Sequence, residues 1–240
     1  MGETATEISS VQGPEPMVVP QDAAVPEMDA YVLRPQPPLL VVISGPSGVG
    51  KDVTLTRMRE LGYKFHYAVT ATTRPRRPTE QDGVDYHFKT VAEFERMRRE
   101  GELLEWAQVY GHYYGIPKSE VTDYLARGED VVVKPDVQGA ATIKRQAPEA
   151  VFIFLAPPSF AEQAERLRSR KTEDPAELAL RLRIAGEEMK ALPQFDYVVV
   201  NHTGKLTETV RQIVSILTAE KCRVHPRQIT LQERTATHGR

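Results

Sequence analysis

Short apolar runs alternate with segments of helical spacing from about residue 38 to residue 221. Four of these runs have the length of a buried strand, at 39–44, 130–133, 151–155 and 197–200. A strand that is covered on both faces reads as a continuous apolar run, which is typical of parallel sheets. The alternation therefore predicts an α/β fold, with a mostly parallel sheet flanked by helices.

Several of the helical segments carry start signals. Thr90 and Ser159 are each followed three residues later by a glutamate, which is the pattern of a capping box. Asp174 is followed by a proline, a residue favoured at the first position of a helix. The last helix is predicted from four apolar residues at helical spacing, Leu206, Val210, Ile213 and Leu217.

The pattern changes in three places, and each change predicts a boundary. Between about residues 70 and 128 the apolar pieces become short and aromatic around an Asp82-Gly83 turn, which indicates an inserted small α+β subdomain. Residues 1–37 are rich in proline and acidic residues without periodicity, so we expect a disordered tail that fits neither a transit peptide nor a secretory signal. Residues 222–240 are expected to form a flexible extension.

Composition narrows the classes of function. The formal net charge of −2 gives no support for a nucleic-acid coat, and no apolar stretch approaches the ~20 residues that cross a bilayer. One cysteine excludes an intramolecular disulfide and fits a reducing compartment. We expect a cytoplasmic protein, with a plastid as the second choice, and neither a nucleic acid nor a membrane as its partner. The oligomeric state, monomer or dimer, stays open.

The strongest chemical signal is a glycine-rich loop between the first apolar run and a helical segment. It reads Gly45, Pro46, Ser47, Gly48, Val49, Gly50, Lys51 and Asp52. Glycines permit the backbone shapes that point successive N–H groups at one anion, and the lysine adds a charge for β- and γ-phosphate oxygens. This order of strand, loop and helix predicts a site for the phosphates of a nucleotide, and the alternative is a chance glycine-rich turn.

Further motifs follow the loop in a fixed order. They are residues 70–78 (TATTRPRRP), 82–86 (DGVDY), 105–107 (EWA), 113–115 (YYG), 136–140 (DVQGA), 166–173 and 200–201. Together with the loop, over roughly residues 38–221, this set resembles the guanylate kinases. The Gly-Lys-Asp form of the loop and the segment 115–118 resemble the plastid and some bacterial branches of that family.

The resemblance implies a P-loop nucleoside monophosphate kinase, with a GMP-binding insertion at about 70–128 and a helical lid at about 160–190. It implies transfer of the γ-phosphoryl group of ATP to GMP with Mg²⁺, in purine nucleotide metabolism. The residues implied for GMP binding are Thr70, Arg74, Arg77, Tyr86, Glu105, Tyr114 and Asp136. Arg166 and Asn201 would join the loop in binding ATP, and Lys51, Arg77, Arg170 and Arg181 would be catalytic.

These residue types suit the chemistry. Phosphoryl transfer brings two anions together, so planar guanidinium groups and phenolic hydroxyls are expected around the phosphates. A carboxylate at Glu105 accepts hydrogen bonds from guanine N1–H and the 2-amino group together, which adenine does not offer. The open alternatives are a solvated basic turn for Arg74 and Arg77, a solvated strand charge for Glu105, and ion-paired arginines on an amphipathic helix for the lid.

Two departures from the family pattern affect what we expect. Ile116 stands where the family commonly has a Ser or Thr that donates to guanine O6, so a kinase for another nucleoside monophosphate remains an alternative. Asp52 replaces the usual hydroxyl, while Lys134 replaces the first acid of an Asp-x-Asp pattern. We expect Asp52 to bind Mg²⁺ directly or through water, and a simple Asp52–Lys134 ion pair is the alternative.

A third hypothesis assigns the chain to a different class of function, that of a peptide-binding module. Guanylate-kinase-like domains of scaffolding proteins keep the fold, lose residues of the phosphate loop and bind peptides instead. This chain retains Gly45, Gly50 and Lys51 together with the lid arginines, which favours an enzyme.

Overall fold

The computed structural model describes residues 36–109, 111–168 and 175–232. The predicted tail, apart from its last two residues, and positions 233–240 lie outside these ranges. The described elements fall into two sheets and the helices around them. In chain order they are β1 (Leu40–Ser44), α1 (Lys51–Glu60), β2 (His66–Tyr67), β3 (Ala71–Thr72), β4 (His87–Phe88), α2 (Val91–Arg99), β5 (Leu103–Val109), β6 (His112–Pro117), α3 (Ser119–Ala126), β7 (Val131–Val133), α4 (Val137–Gln146), β8 (Val151–Ala156), α5 (Phe160–Arg168), α6 (Pro175–Met189), a 3₁₀ turn (Leu192–Gln194), β9 (Tyr197–Val200) and α7 (Leu206–Lys221).

The central sheet has the order β2-β7-β1-β8-β9, and all its neighbouring strands are parallel. The prediction of an α/β fold with a mostly parallel sheet is confirmed, and all four predicted apolar runs are strands of this sheet. The strand at one edge, His66–Tyr67, was not predicted, because two half-buried residues leave no apolar run.

The middle strand β1 is buried on both faces, so successive residues belong to different cores. Val41 and Ile43 pack in the core on the side of α1 and α7, with residues such as Met58 and Ile213. Leu40 and Val42 face the opposite core, which contains Ile143 of α4 and two residues of the inserted sheet, Leu104 and Ile116. The insertion is therefore anchored through the second core of the main domain.

The inserted sheet has the order β4-β3-β6-β5, with one parallel pair and two antiparallel pairs. It lies within the range for which the sequence predicts an α+β insertion. The capping box at the start of α2 is present, since the Thr90 hydroxyl accepts from Glu93 N while the Glu93 carboxylate accepts from Thr90 N. Phe94 and Met97 of this helix form a third, small core with Ala71 and Leu103.

Part of the predicted C-terminal extension contacts the main domain. Ile229 and Leu231 pack against the core on the α4 side, and Gln232 N donates to the carbonyl of Gln146 at 2.8 Å. Arg227 makes two hydrogen bonds to Glu220 of α7, from Nε to Oε2 at 2.8 Å and from Nη2 to Oε1 at 2.9 Å. Glu220 is only 2% exposed, and the hydrogen bonds from Arg227 lower its pKa to about 2.

None of the helices in the described ranges is long and apolar enough to span a bilayer.

We expect Arg227→Met to lower the free energy of unfolding by about 2–4 kcal/mol, because it leaves the buried Glu220 carboxylate without its main partner. Urea denaturation at pH 7 measures this change. Arg223→Met is the matched control, since Arg223 is half exposed and lies 3.5 Å from the same carboxylate; its cost should stay below about 0.5 kcal/mol. Equal costs for the two variants would contradict this account of Arg227.

Candidate active site

The glycine-rich loop connects the carboxyl end of β1 to the first residue of α1, Lys51. Gly45, Gly48 and Gly50 all have positive φ angles, at 148°, 80° and 104°. A Cβ atom at Gly45 would lie 2.1 Å from the carbonyl oxygen of Leu155 in the neighbouring strand β8. Both the conformation and the close approach therefore require glycine where the chain leaves the sheet.

The side chain of Lys51 returns to the start of the loop, where its Nζ donates to the Gly45 carbonyl at 2.6 Å. Burial lowers the pKa of Lys51, while the negative charges of Glu188, Asp136 and Asp52 act in the opposite direction. These three carboxylates come from α6, the start of α4 and α1. Three separate elements therefore each contribute a negative charge that acts on the Lys51 ammonium group.

Arg166 and Asn201, which the resemblance assigns to ATP binding, both hydrogen-bond to the loop. Asn201 Nδ2 donates to the carbonyl of Val49 at 2.9 Å, and Arg166 Nη1 donates to the same oxygen at 3.3 Å. Arg166 Nη2 also donates to the Asn201 carbonyl at 2.6 Å. Both residues line a cleft of about 350 Å³ together with Gly48, Val49, Gly50 and Val53.

Two further residues around the loop, Gln163 and Thr203, were missed by sequence reasoning, whereas Glu162 was expected as the capping-box acid after Ser159 and as a possible partner of the lid arginines. Gln163 Nε2 donates to the Ser47 carbonyl, and Glu162 accepts from both Arg166 and Thr203. The start of α5 could be predicted from Ser159, whose hydroxyl accepts from Glu162 N at 3.1 Å. The contact between Gln163 and Ser47 spans 116 residues and carries no comparable signal in a single sequence.

A second pocket, of about 180 Å³, lies between the inserted sheet and the carboxyl end of β7. Five of the residues expected to bind GMP line it, namely Thr70, Tyr86, Glu105, Tyr114 and Asp136. Ile116 and Lys134 complete its wall with Ala107, Val109 and Pro135. The structure therefore brings together residues that are up to 66 positions apart in the chain.

Glu105 is the buried acid of this pocket, with 8% of its surface exposed. Its strand β5 has a register irregularity against β6 between Leu103 and Glu105, and three successive residues from 103 are buried. A Cβ atom at Gly139 would lie 2.7 Å from Glu105 Oε2 and 2.8 Å from Pro135 Cβ, so a side chain there would displace the carboxylate from its present position. Burial, with a smaller contribution from Asp136, raises the pKa of Glu105 to about 8.

Arg74 and Arg77 lie on the turn that follows β3. Arg74 Nη2 is 2.8 Å from Glu80 Oε1, and its guanidinium carbon is 5.3 Å from the centre of the Tyr86 ring. Arg77 is exposed, and its backbone N–H donates to the other Glu80 oxygen at 2.8 Å. Glu80, which sequence reasoning missed, thus binds both the Arg74 side chain and the Arg77 backbone. Of the two arginines, Arg74 is the one next to a pocket residue, Tyr86.

Asp52 and Lys134 form an ion pair, which the sequence analysis left open as the alternative to a metal ligand. The Asp52 side chain remains 78% exposed beside the loop. Asp136, two residues after Lys134, caps the start of α4 by accepting from Gly139 N at 2.7 Å. No group of three or more His, Cys, Asp or Glu side chains suited to a metal ion is found among the described residues.

Of the two predicted lid arginines, Arg181 lies on α6, whereas Arg170 lies outside the described residues. The carboxyl-terminal part of α6 contacts the loop directly, because Ser47 N donates to Glu188 Oε2 at 2.7 Å. Sequence reasoning missed Glu188, which belongs to none of the motifs. The surrounding helix was nevertheless expected from its proline at the first position.

Asp136 connects the two pockets. Its charge acts on Lys51 at the loop, and its side chain lines the pocket that contains Glu105. An anion held at the loop and a base held at Glu105 would therefore be neighbours. Such an arrangement brings two substrates together without a protein nucleophile.

Comparisons with known proteins agree with this geometry. A family model described as guanylate kinase matches residues 38–220. The chain is 49% identical to guanylate kinase 2, chloroplastic/mitochondrial, of Oryza sativa, over 83% of this chain and 70% of that protein. It is 45% identical to the guanylate kinase of Caldanaerobacter subterraneus, over 78% of this chain and 89% of that protein.

A solved structure is also similar. The crystal structure of guanylate kinase from Anaplasma phagocytophilum superposes with a TM-score of 0.62 at 32% identity, covering 79% of this chain and 89% of that one. The family match and these relatives agree with the phosphate loop and the acidic base pocket found in the fold. The chain belongs to the guanylate kinase family of nucleotide-binding kinases.

Proposed function

We propose that this chain transfers the γ-phosphoryl group of ATP to GMP, producing ADP and GDP in purine nucleotide metabolism. The observation that carries the proposal is that Asp136 lines the pocket of Glu105 while its charge acts on Lys51 of the phosphate loop. With this proposal, a donor phosphate on the loop and a guanine at Glu105 would both lie close to the segment around Asp136.

Each substrate has its own set of groups. The N–H groups of the loop and Lys51 hold the donor phosphates, and Arg166 and Asn201 hold the loop and border its cleft. Glu105 accepts from guanine, with the Thr70 hydroxyl in the same wall. The acceptor phosphate is bound by Arg74, Arg77, Tyr86 and Tyr114, which combine guanidinium and phenolic donors.

The reaction is accelerated by position and charge. Arg170 and Arg181 of the lid join Lys51 and Arg77 around the transferring group, where their charges offset the negative charge of the transition state. Lid closure excludes water and so disfavours hydrolysis of ATP. No general base is assigned, because the phosphate of GMP is itself the nucleophile.

The donor set near the loop fits a magnesium ion that accompanies ATP. Mg²⁺ keeps several waters and takes one or two carboxylates together with phosphate oxygens, so a large cluster of protein ligands is unnecessary. We propose that Asp52 binds it directly or through water, with Lys134 as a neighbouring counter-charge. The ion would neutralise charge on the β- and γ-phosphates.

The alternatives are less well supported. A kinase for another nucleoside monophosphate is suggested by Ile116, which is buried in the pocket wall and brings no hydrogen bond to the base. A peptide-binding module would not need Lys51 or a buried acid at Glu105. We propose the cytoplasm as the location, and a plastid stays the second choice because one relative is named chloroplastic/mitochondrial.

The direct test of the reaction is ADP release from ATP with GMP, AMP, dTMP and UMP as acceptors. We expect kcat/KM for GMP to exceed that for AMP by about 100-fold or more, because AMP leaves the Glu105 carboxylate unpaired. Lys51→Met should lower kcat for GMP by about 100-fold or more. A preference for AMP would refute the role of Glu105, and tight peptide binding without turnover would favour the module.

The pKa of Glu105 predicts how GMP affinity depends on pH. The ionised carboxylate accepts from both guanine donors, and at a pKa of about 8 it is mostly protonated at pH 6. The Kd for GMP should therefore fall as pH rises from 6 to 8, by up to about tenfold per pH unit. Calorimetric titration of the protein with GMP at several pH values in that range measures this change in Kd.

Glu105→Gln is the control for this pH dependence, because it keeps the shape of the side chain and removes the ionisation. Any slope that comes from the phosphate of GMP remains in this variant and can be subtracted. Equal slopes in the two proteins would rule out Glu105 as the titrating group.

Asp52→Ser tests the proposed metal ligand. We expect the Mg²⁺ concentration for half-maximal activity to rise about tenfold, because one carboxylate ligand is lost. Asp52→Asn keeps a neutral oxygen and should give a smaller rise. If Asp52→Ser instead lowers the Mg²⁺ requirement and raises turnover, Asp52 is not the ligand and its pair with Lys134 is only structural.

A further inference from the structure

The phosphate loop has a contact that phosphate binding does not explain. The Ser47 N–H donates to Glu188 Oε2 at 2.7 Å, and Glu188 is the penultimate residue of α6. Burial raises the pKa of Glu188, while this hydrogen bond and the charge of Lys51 lower it. Asp136 is the other charged group that acts on it, and it raises the pKa.

A carboxylate on a loop amide uses the same interaction that a phosphate oxygen would use. Loops of this kind bind anions through their backbone N–H groups, and Ser47 belongs to the loop that the proposed function assigns to ATP. One N–H has one proton, so strong hydrogen bonding to Glu188 and to a donor phosphate is mutually exclusive. An ionised Glu188 would also repel a triphosphate beside it.

The position of Glu188 on α6 extends this competition to the lid. Arg181 and Glu188 are seven residues apart, which is close to two helical turns, so both lie on one face of α6. A cleft of about 630 Å³, lined by Ile184 and Glu187 of α6 and by Val137 and Gln138 of α4, separates these helices. The carboxyl-terminal half of α6 therefore has space in which to shift.

We propose that Glu188 is a positioning residue of the lid, whose carboxylate competes with the donor phosphates for the Ser47 N–H. Arrival of the triphosphate displaces Glu188, and because α6 is one rigid element, this displacement moves Arg181 relative to the loop. Donor binding and lid position are thereby coupled. The inference rests on the proposed use of the loop for a nucleoside triphosphate, but not on the identity of the acceptor.

Competition makes an unusual prediction, since removing a group next to the binding site should strengthen binding. We expect Glu188→Ala to bind the non-hydrolysable βγ-imido analogue of ATP about 5- to 20-fold more tightly than the wild type in calorimetric titrations. Glu188→Gln should bind it about 2- to 5-fold more tightly, because a neutral amide oxygen is a weaker competitor. Binding of adenosine, which has no phosphates, and of GMP should change less than twofold.

Glu187→Gln is the matched control. Glu187 is the neighbouring exposed acid of α6, and its carboxylate pairs with Lys190 at 2.6 Å. This variant removes the same charge from the same helix, so its affinity for the analogue should stay within twofold of the wild type. A gain equal to that of Glu188→Gln would indicate a general charge effect and overturn the proposal.

Hydrogen exchange tests the coupling to α6. In the wild type, the analogue should raise amide exchange in residues 182–189, because the bond from Glu188 to the loop is broken. In Glu188→Ala these amides should already exchange faster, and the analogue should have little further effect. A merely structural role for Glu188 would raise exchange without tighter binding of the analogue, and that result would refute the proposal.

The outcomes separate this inference from the proposed function. If neither Glu188 variant binds the analogue more tightly, the competition is refuted, and GMP phosphorylation by the wild type stands by itself. If the variants bind it more tightly but the wild type phosphorylates no nucleotide, the competition holds and the proposed reaction fails. Should thermal unfolding show that Glu188→Ala does not fold, the near-isosteric Glu188→Gln decides.

Discussion

The site depends on keeping one half-buried ammonium group charged, that of Lys51. Burial lowers the pKa of Lys51, and three carboxylates oppose that effect. Each carboxylate also has a separate task, since Asp136 lines the base pocket, Asp52 stands at the proposed metal position and Glu188 connects the lid helix to the loop. The proposed donor site, acceptor pocket, metal position and lid therefore all have a charge that acts on Lys51.

The parallel sheet is what brings these groups together. In an open α/β sheet, the loops that follow the carboxyl ends of neighbouring strands meet at one edge, where ligands bind. Lys51 follows β1, Asp136 follows its neighbour β7, and Asn201 follows β9 at the far side of β8. The inserted sheet supplies Glu105 to this site. The sheet is held against the main domain because Leu104 and Ile116 pack in the core on the α4 side of the central sheet.

The sequence predicted what short segments determine by themselves. Continuous apolar runs predicted four of the five strands of the central sheet, and the capping box at Thr90 predicted the start of α2. The phosphate loop was predicted because glycines at positive φ and a lysine must be contiguous to work. The two-residue strands β2, β3 and β4 left no periodic signal, and their existence depends on partners elsewhere in the chain.

The features that the sequence did not predict depend on contacts between residues that are far apart in the chain. Ser47 and Glu188 are 141 residues apart, and nothing in the residues around Glu188 distinguishes it from other helix acids such as Glu187. The packing of Ile229 and Leu231 was hidden for the same reason, because two apolar residues without periodicity resemble a loose extension. By contrast, five of the pocket residues could be named in advance, since each of these belongs to a motif that resembles the family pattern.

Positions 52 and 134 depart together from the family pattern, and the two changes involve opposite charges. In the usual pattern the acid stands at the end of the β7 strand and a hydroxyl stands on α1, whereas here the acid is on α1 and a lysine follows β7. A negative charge in the first turn of a helix is favoured by the helix dipole, so Asp52 is well placed in its own right. Lys134 reaches Asp52 and also lines the pocket of Glu105. The pair therefore keeps a carboxylate next to the glycine-rich loop and adds a cation to the wall of the Glu105 pocket, where the proposed acceptor phosphate would offset its charge.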